Sequence, residues 1–112
     1  MAPLQIVEAQ VDAYNRRDLA AFVALYSDDV EVFRLPSTTP GLTGKAAFAE
    51  FYRTERFNRP GLHAEIVNRI VLGNKVIDHE RIRGVRAEPF EIVVAYEVLG
   101  PSIRRVWSLA PE

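Results

Sequence analysis

The chain contains no cysteine, which removes disulfides, thiolate nucleophiles and thiolate metal sites from consideration. It has two histidines, and they do not form a pair at helical spacing, so neither a metal site nor a cofactor is expected. No apolar run approaches the ~20 residues needed to span a bilayer. The N-terminal segment meets acidic Glu8 where a secretory signal would need an apolar stretch. An excess of one charge is missing too. With a net charge of -1 there is no general reason to expect nucleic acid or an anionic membrane as partner, and the arginines at 81, 83, 104 and 105 are set off by interleaved glutamates. A cytoplasmic protein is the resulting expectation. Repeats and linkers are also absent, so the 112 residues, 48% hydrophobic and 26% charged, are expected to form a single domain over 1–112 with one modest core.

What is present centres on Leu62 to Arg83, LHAEIVNRIVLGNKVIDHERIR. Gly73-Asn74 tolerates positive φ and is flanked by Val and Ile, the pattern of a two-residue β-hairpin. Counting outwards from the turn predicts Leu72 opposite Lys75, Val71 opposite Val76, Ile70 opposite Ile77 and Arg69 opposite Asp78. Asn68 then faces His79, and Val67 faces Glu80. Period-two alternation puts His63, Glu65, Val67, Arg69 and Val71 on one face with Val76, Asp78, Glu80 and Ile82. Arg69 is thereby within reach of both carboxylates.

Taken in order, Pro3 suits a first helical turn, and Leu4, Val7, Val11 and Tyr14 recur at helical spacing, predicting a helix from Pro3 to Asn15. Asp18 is a good N-cap for a second, shorter helix that Ser27-Asp28-Asp29 would end. Val30 to Leu35 alternates as a short strand, and Pro36 to Gly44 reads as a loop. A third helix is predicted from Lys45 to Phe57, burying Phe48, Phe51 and Tyr52. After the hairpin, Phe90 to Val98 and Ile103 to Leu109 are strands about a Gly100-Pro101 turn. The order predicts an α+β fold: three N-terminal helices packed on one face of a curled, mainly antiparallel sheet, leaving a conical cavity between them.

Three stretches, AYNRRDLAAFVALYSDDVEV, LTGKAAFAEFY and YEVLGPSIRRVWSL, resemble the nuclear transport factor 2-like superfamily in its SnoaL-like and ketosteroid-isomerase-like branch. The resemblance spans essentially the whole chain and implies the cone-shaped, cystatin-like fold. It implies no single activity, because this fold hosts isomerases, hydrolases, dehydratases, cyclases and plain binders. Setting the shared Asn-x-x-Asp and Asp-Asp motifs in register with ketosteroid isomerases puts Gln10 where those enzymes carry a Tyr. Arg34 falls at the general-base position, and the third position falls at about Val94. The isomerase triad is not retained.

The same register turns the face bearing Asp78, Glu80 and Ile82 towards the cavity. Asp78, Glu80 and Arg69 are therefore the candidate catalytic residues, with His63 and Glu65 nearer the rim. A charge cluster of this kind equally serves as an internal ion-pair network with no ligand. Arg34 is a candidate for holding an anionic substrate group, and Tyr14, Phe51 and Tyr96, with Tyr26 and Tyr52, have the size to line a cavity or simply to fill a core. His79 is expected on the outer face, away from Asp78. A small-molecule ligand is the expected partner, handled by acid/base chemistry, by plain binding, or by neither if the domain serves protein interaction. Ile66, Ile70, Ile77, Val93 and Ala95 share the uncovered sheet face by alternation, and a homodimer through that face is the expectation.

Overall fold

Helix α1 occupies Pro3–Asn15, the range that the apolar spacing predicts, in a computed structural model that describes residues 1–111. Its buried stripe is Ile6, Val7, Gln10 and Ala13. The Asn-x-x-Asp motif proves to be a joint. Asn15 Nδ2 donates to the Ala64 carbonyl at 3.0 Å while the Ala64 N–H donates to Asn15 Oδ1 at 2.7 Å, tying the end of α1 to a strand 49 residues away. Arg17 takes a left-handed φ of 55° to turn the chain, and Asp18 Oδ1 accepts the Ala21 N–H to cap α2, Leu19–Ala24.

The remaining elements are β1 (Tyr26–Arg34), β2 (Leu42–Thr43), α3 (Lys45–Glu55), β3 (His63–Leu72), β4 (Lys75–Arg83), β5 (Phe90–Leu99) and β6 (Ser102–Leu109). Ser27-Asp28-Asp29 belongs to β1 and does not stop a helix, a correction to the sequence reading. Its cause is non-local: the Ile103 N–H donates to the Leu25 carbonyl, and Tyr26 pairs with Ile103, so β6 draws the chain into the sheet early. The six strands run β2-β1-β6-β5-β4-β3, antiparallel throughout except for the parallel β1–β6 pair. Three helices on a mixed, open sheet make the expected α+β, cystatin-like architecture.

The hairpin register follows the outward count from Leu72–Lys75 to Asn68–His79 and then slips. Ile66, not Val67, lies opposite Glu80, because a bulge inserts one residue between Ile66 and Asn68. A one-residue insertion flips every side chain beyond it. Ala64 and Ile66 thus turn inward to face Ile82 and Glu80, while His63 and Glu65 turn outward.

The core lies between the helices and the inner sheet face. Phe22 of α2 is its centre, with its ring centroid 4.9–5.9 Å from those of Tyr14, Tyr26, Phe48, Tyr52 and Phe57. Gly84, at a φ of 86°, leaves β4 directly against Gly61; a Cβ there would sit 2.3 Å from the Gly61 carbonyl carbon. Only glycine permits that approach. It pins the β4–β5 loop beside the start of β3.

Candidate active site

Alternation along β4 and β5 aims Asp78, Glu80 and Ile82 with Ile92, Val94 and Tyr96 at the helices. Asp78 is wholly buried. Arg69 on β3, its cross-strand partner, grips it bidentately: Nε donates to Oδ1 at 2.6 Å and Nη2 to Oδ2 at 2.9 Å. The guanidinium also approaches Glu8 of α1 at 3.6 Å. The pair is a charged clamp between helix and sheet, and Asp78 and Arg69 do not line the cavity.

Glu80, two residues on, does line it. It is 5% exposed and accepts one hydrogen bond, from the Tyr96 hydroxyl to Oε2 at 3.1 Å. Burial and then the neighbouring Asp78 charge push its carboxyl up to about 7, against smaller opposing effects of the Tyr96 hydrogen bond and Arg69. Because Arg69 is committed to Asp78, no cation among the described residues forms an ion pair with Glu80. Oε1 has no hydrogen-bond partner among the described residues.

The cavity measures about 410 Å³. Its wall is mostly aromatic and aliphatic, including Tyr14, Phe22, Phe51, Tyr52, Tyr96 and Val106. Burial raises the phenols well above their ordinary range, Tyr52 to about 12, so they stay protonated donors. Gln10, 3% exposed, accepts the Tyr26 hydroxyl at 2.9 Å on its carbonyl oxygen, and its NH2, in the cavity wall, has no partner among the described residues. Gln10, Arg34 and Val94, at or about the positions to which the resemblance carries the isomerase triad, all line this space.

Of the sequence candidates, the structure brings Glu80, Tyr14, Phe51, Tyr96 and Arg34 to the cavity and sets Asp78 with Arg69 directly behind it. His63 is not among them. The bulge turns it to the exposed side of β3, which corrects its place at the rim, and Glu65 pairs out there with Arg83 at 3.7 Å. His79 is on the outer face against Glu91. Sequence reasoning passed over Arg56 and Arg86, both in the lining. No periodic signal marks them, since one caps α3 and the other sits in the loop after β4. No group of side chains suited to hold a metal ion occurs among the described residues.

The chain belongs to the SnoaL-like domain family, whose model matches residues 7–106. No curated protein matches it in sequence. Among solved structures it is similar to an uncharacterized cystatin-fold protein of Novosphingobium aromaticivorans, at 25% identity over 96% of this chain and 97% of that one, with a TM-score of 0.85. The Delta 5-3-ketosteroid isomerase of a Mycobacterium species is 17% identical over 96% and 92% of the two chains, with a TM-score of 0.82. An LEH-like epoxide hydrolase of Mycobacterium tuberculosis is 18% identical over 96% and 81%, at 0.81. The fold is thus shared with isomerases and epoxide hydrolases.

Proposed function

We propose that this protein is an enzyme of general acid/base type acting on an apolar small molecule, with Glu80 as the group that takes and returns the proton. The observation that carries the reading is the isolation of Glu80: a buried carboxyl facing an apolar cavity, with the nearest cation locked onto Asp78. A base poised near 7 is half-ionised at neutral pH, close to the optimum for proton transfer. Oε1 is the free oxygen for abstraction, while Tyr96 holds Oε2. The NH2 of Gln10 is a neutral donor suited to the oxygen of a carbonyl or ether as charge develops on it. Asp78 and Arg69 act behind the site, raising and moderating the Glu80 carboxyl without touching substrate.

A non-catalytic ligand binder or interaction domain is the competing reading, favoured by the replacement of the isomerase triad by Gln10, Arg34 and Val94. The two readings separate on turnover. A panel of apolar ketones and epoxides, prefiltered by thermal shift, should contain a compound that the protein converts. Glu80→Gln should lower kcat by roughly a hundredfold or more while the thermal shift persists. Conversion that survives Glu80→Gln, or binding without any conversion across the panel, refutes the assignment.

A further inference from the structure

Most Lys and Arg side chains of this protein are matched to a carboxylate. Arg17, Arg34, Arg56, Arg59 and Arg86 are matched to none among the described residues; Arg17 and Arg59 donate to backbone carbonyls away from the cavity, while Arg34, Arg56 and Arg86 all line it. These last three come from unrelated elements: the end of β1, the C-cap of α3 and the loop after β4. Arg34 and Arg86 are exposed, as are Leu35 and Ala110 beside them in the lining, so this is the mouth. The guanidinium carbons of Arg34 and Arg56 lie 5.8 and 5.1 Å from the centroid of the Phe51 ring, and that of Arg86 lies 4.2 Å from the Phe90 ring. Stacking on a ring orients a guanidinium without neutralising it. Among the described residues, the only carboxylate in the lining is Glu80, which is buried in the wall.

We infer that the ligand of this cavity is an apolar molecule with an anionic head group, a carboxylate, held at the mouth by Arg34, Arg56 and Arg86 with its apolar body directed towards Glu80. The inference rests on the acid/base reading of the cavity and specifies its substrate class. The reason is electrostatic. In a chain with a net charge of -1, three unneutralised cations at one opening are not an overall surplus, and they attract an oxyanion and repel a cation. A planar carboxylate matches the guanidinium fork bidentately. Beyond the mouth, Phe22, Val32, Ile82, Ile92 and Val94 offer no charge, so the head stays outside and orients the body. Tyr14 and Tyr52 line the same cavity.

The test compares 2-naphthylacetate with its uncharged amide by titration calorimetry on the intact protein. The acid is expected to bind roughly tenfold more tightly at low ionic strength, exposed guanidinium contacts each being worth a few-fold. That preference should shrink in high salt. It should vanish in the triple variant Arg34→Gln, Arg56→Gln, Arg86→Gln, whose affinity for the amide stays near that of the parent. Equal affinities in the parent protein, a preference indifferent to salt, or no binding of the acid at millimolar concentration overturns the inference. The salt series uses the unaltered protein, so it stands whether or not the triple variant folds. Turnover lost on Glu80→Gln together with preference for the neutral amide would sink this inference and leave the acid/base reading intact.

Discussion

Glu80 carries a folding penalty that pH exposes. Its carboxyl titrates at 4.5 when unperturbed and at about 7 in the folded protein. Below 4.5 it is protonated in both states and costs nothing extra. Between 4.5 and about 7 the folded protein keeps a proton that the unfolded chain has released, so stability falls as pH rises. Above about 7 both states are ionised and the penalty is full and constant. At ~1.4 kcal/mol per pH unit, that interval amounts to roughly 3 kcal/mol, a large part of the net stability of a small domain. Burial of the group at 5% exposure means that solvent does little to reduce the figure. Glu80→Gln keeps the shape and an oxygen for the Tyr96 hydroxyl but does not titrate. Urea unfolding of both proteins at about pH 4.5, about pH 6 and about pH 8 gives the stability difference directly, provided the m-values agree. The variant should gain roughly 3 kcal/mol on the parent across that range. Both histidines are common to the two proteins, so whatever they contribute cancels in the difference. A difference that does not change with pH would mean that Glu80 titrates as an ordinary solvated carboxyl, and the reasoning would fail at its first step.

Removing Arg69 leaves Asp78 as an uncompensated charge at 0% exposure. Arg69→Met should therefore cost about 3–5 kcal/mol at neutral pH, with much of it recovered in Arg69→Met/Asp78→Asn; a loss under about 1 kcal/mol in denaturant unfolding would refute the clamp. The outer sheet face is expected to pair two copies of this chain. Phe33, Trp107, Ala95, Ile77 and Ile70 lie opposite one another across five strands, on the face that alternation turns away from the buried Asp78 and Glu80, with Ile70 54% exposed. Next to that row, Glu31, Arg105, Glu97 and Lys75 form a polar border. Sedimentation should report a dimer that Ile70→Asp converts to monomer; a parent protein monomeric at every concentration tested sinks the expectation.

The sequence by itself determined everything that depends on local pattern. Pro3 and the helical spacing to Tyr14 set α1, Asp18 set the start of α2, and Gly73-Asn74 set the hairpin, whose Gly73 indeed takes a φ of 60°. Counting from that turn was enough to pair Arg69 with Asp78, since register near a tight turn is a matter of chain connectivity. The motifs carrying the family resemblance turned out to act structurally: Asn15 holds β3 and Asp18 caps a helix.

Only the tertiary structure decided where counting stops working. The bulge between Ile66 and Asn68 reversed His63, Glu65 and Ile66, moving Ile66 from the outer face to a place opposite Glu80. Nothing in residues 62–68 announces it, because a bulge answers to what packs above the strand, here the Asn15–Ala64 link from α1. The parallel pairing of β1 with β6 drew Ser27-Asp28-Asp29 into a strand for the same reason, a partner some 75 residues away. The division of labour between two carboxylates on one face was likewise invisible in sequence. Alternation makes Asp78 and Glu80 equivalent; the reach of Arg69 across one strand and not to the next pair makes one a clamp and leaves the other free. The arginines of the mouth converge from β1, α3 and the loop after β4, and no spacing along the chain encodes a meeting of side chains that the closure of helices over a curled sheet brings about.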